Sequence, residues 1–190
     1  MKKKAIIAGG IILTLALGGG GVFLWQKNQA AVAELNNSLP ESIRVVKSLF
    51  GNEYRVVNKI DGYEFRVPQK WEGLREIEYS ETREVESYIV SGMWFEGKSD
   101  EESRIASINR YELQDANINL QSWAERNFET SELVGEFSKD QIGELEIVKT
   151  REEIHFAGMA VVFFQKDLSV YVIVNGSEEN IREIVENGKW

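Results

Sequence analysis

The chain has 190 residues, with 22 Lys and Arg against 31 Asp and Glu, a formal charge of −9, and no cysteine. Lacking thiols, it cannot build structural disulfides, iron–sulfur clusters or thiolate zinc sites, and it cannot use thiol catalysis or lipidation at a lipobox cysteine. Lys2, Lys3, Lys4 and Lys27 all precede Glu34, so the remainder holds 18 basic groups against 31 acidic ones, and its bulk electrostatics will not bind nucleic acid or an anionic membrane face.

The first element is Ala5–Trp25, an uncharged apolar run directly behind Lys2, Lys3 and Lys4. As a helix it is roughly 30 Å long, enough to cross a bilayer core. Three lysines in front and Lys27 behind leave the N-terminus in the cytoplasm and export everything downstream, with Trp25 at the far headgroup layer. Gly18, Gly19, Gly20 and Gly21 weaken this helix, each by roughly 1 kcal/mol relative to alanine. A second reading therefore stays open, with Ala5–Leu17 as a signal-peptide core and Ala31-Val32-Ala33 as its cleavage site, Ala16-Leu17-Gly18 being a poorer one. Val22–Trp25, which continues the apolar run, and Lys27 ahead of Ala31 favour an uncleaved anchor. Gly10, Thr14 and Gly18 form a small-residue stripe of the kind that pairs membrane helices, although such residues are common in any anchor. The layout is then a basic tail (1–4), the anchor (5–25), a polar, alanine-containing stalk (26–37) and one exported domain (38–190).

Ser38-Leu39-Pro40-Glu41 has the pattern of a capping box, and Leu39, Ile43, Val46, Leu49 and Phe50 keep helical spacing up to Gly51, so a helix is expected over Leu39–Phe50. Tyr54–Val67 changes to period two around Asp61-Gly62, a two-residue hairpin signal that would set Ile60 opposite Tyr63, Asn58 opposite Phe65 and Val56 opposite Val67. Pro68 ends that ladder and Trp71 closes the corner. Strands are expected over Leu74–Tyr79, Val85–Phe95 and Arg104–Tyr111, then a short helix capped by Asn119 with Leu120, Trp123, Ala124 and Phe128 on one face. After a polar segment comes a strand over Glu144–Arg151. Met159–Phe164 and Val170–Val174 are almost continuously apolar, which predicts adjacent central strands covered on both faces. Ser177 is placed to cap a last helix, with Ile181, Ile184 and Val185 inward and Gly188 as its stop. The order predicts an α+β fold, an α/β/α sandwich around a mainly antiparallel central sheet, preceded by one N-terminal transmembrane helix.

Tyr63-Glu-Phe-Arg-Val-Pro68-Gln-Lys-Trp71 resembles the Y-x-F-x-x-P-x-x-W opening strand of PsbP-like domains. The mid-chain helix Leu120–Phe128, the run Phe156-Ala-Gly158 through Phe164, the strand Val170-Tyr171-Val172-Ile173 and the helix Ser177–Asn187 are similar in placement. The resemblance implies the three-layer sandwich shared by photosystem-associated proteins and bacterial envelope proteins, whose members are mostly non-catalytic assembly or binding proteins. It carries no functional residue over to this chain. The anchor and the expected helix Leu39–Phe50 depart from the photosystem type.

His155 is the only histidine and sits between Ile154 and Phe156 behind Glu152 and Glu153, a surface or edge position rather than part of a nucleophile–base–orienter set. Adjacent acids such as Glu101/Glu102 or Glu178/Glu179 arise by chance among 31 carboxylates, and Asp100-Glu101-Glu102 lacks the spacing of a calcium loop. No phosphate-binding glycine loop follows a strand. Trp71 and Trp123 fit the core, whereas Trp94 lies on a strand apolar on both sides and is the candidate partner contact. The expectation is a membrane-tethered extracytoplasmic binding or assembly module, not an enzyme, with no cofactor, no metal and an envelope protein as partner. The rivals are an exported hydrolase using His155 or a carboxylate-bound metal, and a soluble periplasmic solute-binding protein released by cleavage after Ala33.

Overall fold

Val161, Val162, Phe163 and Phe164 are consecutive and all buried, which a strand achieves only when something covers each of its faces. The computed structural model that shows this describes residues 30, 32–48, 53–68, 71, 74–81, 89–97, 104–128, 137–150 and 159–190. Its strands are β1 (Ile43–Lys47), β2 (Tyr54–Asn58), β3 (Tyr63–Arg66), β4 (Glu76–Glu81), β5 (Ile89–Glu96), β6 (Arg104–Glu112), β7 (Phe137–Ile142), β8 (Leu145–Thr150), β9 (Ala160–Lys166) and β10 (Ser169–Asn175). They form a three-stranded sheet, β1-β2-β3, and a seven-stranded sheet, β4-β5-β6-β10-β9-β8-β7, with every named pair antiparallel. The two apolar runs are adjacent, and β10 is the middle strand of the seven, as their composition requires.

Period two then sorts the core into two layers. Val162, Phe164, Tyr171, Ile173 and Ile147 face one way, toward the three-stranded sheet and the helix Glu178–Asn187. Val161, Phe163, Val170, Val172 and Val148 face the other way, toward the helix Leu120–Phe128. The fold is α+β with helices on opposite faces of an antiparallel sheet, but the last helix shares its face with a second, smaller sheet. Asn119 caps the mid-chain helix, its Oδ1 accepting from the Ser122 N–H at 3.0 Å. At the last helix Ser177 has extended backbone but makes no capping bond through its hydroxyl. Asn175 Oδ1 instead accepts from the Ser177 N–H (2.8 Å) and from Asn180 Nδ2 (3.1 Å).

Three expectations are corrected. The helix over Leu39–Phe50 is replaced, within its described part, by β1, whose Ile43 and Val45 are buried while Arg44 and Val46 are exposed. The stretch Ile-Arg-Val-Val-Lys fits either period, and its β-branched side chains pack better on a pleated surface against β2. Ser38 accordingly caps nothing: its Oγ donates to the carbonyl of Ile77 on β4 at 3.0 Å. The hairpin pairs Asn58 with Tyr63 and Val56 with Phe65, a register two residues away from the expected one. A shift of two keeps every side chain on its expected face, so the apolar side of the hairpin survives the error. Finally, part of the polar segment before Glu144 is β7, an edge strand whose Lys139 and Asp140 discourage further pairing.

Among the described residues no helix is long and apolar enough to cross a membrane. The expected anchor Ala5–Trp25, with Lys2, Lys3 and Lys4, lies outside the described residues. The end of the expected stalk is described, and it is built into the domain. Residues 32–36 are helical, Leu35 is buried in the core, and Asn36 grips the edge of β1. Asn36 Oδ1 accepts from the Val45 N–H at 2.8 Å while its Nδ2 donates to the Val45 carbonyl at 3.0 Å, a one-residue imitation of a neighbouring strand.

Candidate functional site

The densest polar constellation lies between the two sheets and starts from the turn after β2. Asn58 Oδ1 accepts from the N–H groups of Ile60 and Asp61, both at 3.0 Å, and Gly62 takes the left-handed conformation (φ 80°) that closes the loop onto the Asn58 carbonyl. This geometry points the Asp61 carboxylate at the large sheet. On β5 a register shift between Ile89 and Ser91 aims Ser91 inward to meet it. Asp61 Oδ1 accepts from Ser91 Oγ at 2.6 Å and from Arg110 Nη1 at 3.5 Å, and Oδ2 accepts from Asn58 Nδ2 at 2.7 Å. Arg110 Nε donates to Ser169 Oγ (3.0 Å), and Tyr171 Oη donates to the Asp61 carbonyl (2.9 Å). Asp61, Asn58 and Ser91 are buried, whereas the Arg110 side chain keeps 23% of its surface in solvent.

Both carboxylate oxygens are therefore engaged by donors. The arrangement pins β2–β3 to β5, β6 and β10. It holds the sheets together.

The phenols around this carboxylate report on it. Burial raises Tyr63 and Tyr79 well above the ordinary tyrosine value and Tyr171 above it, and the Asp61 charge pushes each the same way. On the opposite face of the sheet burial alone lifts Tyr111 to about 12. A folded-state value above the unfolded one means stability that is complete below about pH 10 and is lost as pH rises through the folded values. Absorbance titration should show these four phenols ionising late and together with unfolding. Their smooth titration near pH 10 in a folded protein would contradict the packing described here.

Trp94 is placed on the other face of the large sheet, partly buried, with its indole laid over Gly92. A Cβ added at Gly92 would lie 2.7 Å from the indole and 2.7 Å from Asn109 Oδ1, so the glycine is required by the ring. Trp71 is in the core against Phe95 (centroids 5.1 Å), as its position implied, whereas Trp123 packs on Tyr111 (5.3 Å) but is only partly buried. His155 and Asp100-Glu101-Glu102 lie outside the described residues, as does Trp25. Among the described residues no group of three or more His, Asp or Glu is placed to hold a metal.

Two charged features have no local signal in the sequence. Lys149 Nζ lies 2.9 Å from Glu178 and 3.2 Å from Asp140, and Arg182 pairs with both acids. The Gln141 N–H, then Lys149 and Arg182, hold Asp140 below its ordinary value, and for Glu178 the two cations outweigh the upward push of burial. The second feature is the outer face of the three-stranded sheet, where Arg44, Val57 and Glu64 form one cross-strand row and Val46, Arg55 and Arg66 the next. A groove of about 410 Å³ runs there, lined also by Lys47, Glu53 and Tyr54. A larger groove, about 660 Å³, opens beside the start of the mid-chain helix, but its lining mixes Lys139 with Glu146 and Asp167 and singles out no ligand.

Fold and geometry together define an α+β protein built on an antiparallel sheet. No family model matches the chain, and no curated protein does. Among solved structures it is similar to a GTP-binding regulator from Thermotoga maritima, with 14% identity, 58% of this chain and 77% of that one covered, and a TM-score of 0.34. A likeness at that score carries no argument about fold or function.

Proposed function

We propose that the protein is a membrane-tethered, extracytoplasmic binding or assembly module that performs no catalysis. The observation that carries this reading is the docking of residues 32–38. Leu35 is in the core, Asn36 holds the edge of β1 and Ser38 bonds to β4, so the segment that follows the expected anchor is a structural part of the domain. Only residues 26–31 separate Trp25 from it, a span of at most about 25 Å. A domain held that close serves an envelope partner at the membrane surface. The resemblance to PsbP-like domains, mostly binding or assembly proteins with an α/β/α sandwich, supports the same reading, and Trp94 remains the candidate partner contact.

Topology is the property to test. Protease added to intact spheroplasts is expected to digest the domain and leave a small N-terminal fragment in the membrane fraction. Protection of the domain would refute the orientation. A mature chain beginning at Glu34 would refute the anchor while leaving export intact, and it would still contain Leu35, Asn36 and Ser38.

A further inference from the structure

The outer face of the three-stranded sheet has a composition at odds with the rest of the chain. Its exposed rows and groove present Arg44, Lys47, Arg55 and Arg66 against two carboxylates, Glu53 and Glu64, on a protein of net charge −9. Arg55 and Arg66 stand directly opposite each other, a like-charged cross-strand pair that costs stability unless an anion lies nearby. Arg55 reaches Glu64 at 2.8 Å, but Arg44 and Arg66 form no ion pair with another described residue. Between these cations sits Val46, half exposed at 50%, an apolar side chain with water on it.

The position of this face supplies its occupant. Asn36, six residues beyond Ala30, is hydrogen-bonded to Val45 of β1, so the chain coming from the expected anchor joins the domain at the edge of this very sheet. We propose that the face docks on the anionic phospholipid headgroups of the membrane that anchors the protein, the arginines meeting phosphates and Val46 entering the interface. This inference rests on the tethered reading given above. The overall negative charge does not oppose it. At physiological salt, charges beyond about 8 Å are screened, so the local face decides the contact. The tether makes the contact intramolecular, which lets a weak patch act where a free domain of this charge would not bind.

The absence of cysteine makes the test clean. Full-length Val46→Cys, labelled with an environment-sensitive fluorophore, is reconstituted into vesicles of phosphatidylcholine alone or in equal parts with phosphatidylglycerol. Flotation reads the anchor, and the probe reads docking. With anionic lipid the label should shift to the blue and lose access to aqueous iodide, and high salt should reverse both changes. Adding Arg44→Glu and Arg66→Glu should lower the docked fraction by at least tenfold, since each basic residue near an anionic surface is worth about fivefold. Both arginines are exposed, and an unchanged circular dichroism spectrum will show that the variant folds. A label at Ser122→Cys, on the helix covering the opposite face of the large sheet, should not respond. Protein that floats with both vesicles while the Val46 label ignores anionic lipid overturns the docking and leaves the anchor standing. Protein that does not float overturns the tethered reading, and the docking falls with it.

Discussion

Replacing Asp61 with alanine is expected to destabilise the domain by about 3–5 kcal/mol, the usual cost of removing one member of a buried charged network. The carboxylate accepts from Ser91, Asn58 and Arg110, and its loss strands three donors between the sheets. Asp61→Asn should cost less, because the shape is kept while the charge facing Arg110 is lost. Adding Arg110→Met to Asp61→Asn should then cost little beyond the first change, because the guanidinium no longer has an acid to meet. Urea unfolding of the parent, Asp61→Asn, Arg110→Met and the double variant measures this cycle, with Asp61→Ala alongside. An Asp61→Ala variant within about 1 kcal/mol of the parent would mean that the network does not join the sheets.

The second large effect is expected at Trp190, two residues beyond Gly188. Its indole is at the centre of an aromatic group, 4.8 Å from Phe164, 5.2 Å from both Tyr63 and Tyr171, and stacked on Phe65 at 6.3 Å. Its Nε1 donates to the Val185 carbonyl at 3.3 Å, and its neighbour Lys189 bridges to Glu64 on β3, so the segment fastens the last helix to the small sheet. Trp190→Ala should cost about 3 kcal/mol and flatten the near-ultraviolet circular dichroism spectrum. Gly188→Ala should imitate it in part. Gly188 has φ −85°, which any residue adopts, but an added Cβ would collide with Trp190 Nε1 and lie 2.8 Å from the Ile184 carbonyl. An unchanged aromatic spectrum in both variants would place the indole outside the core.

The alternation in β2, β3 and β6, the unbroken apolar character of β9 and β10, and the helices behind Asn119 and Ser177 were legible because they express local chemistry. A two-residue or 3.6-residue period sorts side chains before any partner is known, and a near-continuous apolar run needs cover whatever supplies it. Leu39–Phe50 was misread because its five strand residues satisfy both periods, and only the edge offered by β2 decides between them. The hairpin register was misread because the Asn58 side chain takes the Ile60 and Asp61 N–H groups, a competition the Asp-Gly signal does not reveal. The layer architecture was half legible. Helices on both faces followed from the core strands, whereas the three-stranded sheet beside the last helix did not.

By itself the sequence determined where an uncharged apolar run of bilayer-spanning length lies, that no thiol chemistry is possible, and which strands form the buried centre. Those properties depend on composition and period, which neighbours along the chain carry. Tertiary structure alone decided that Asp61 is a buried pin, since Ser91, Arg110 and Tyr171 lie 30, 49 and 110 residues away. It also decided that Trp190 is core, that Asn36 stands in for a strand, and that scattered arginines share one face. Each of these is a contact between segments distant in sequence, and its energy exists only once the sheets have brought them together.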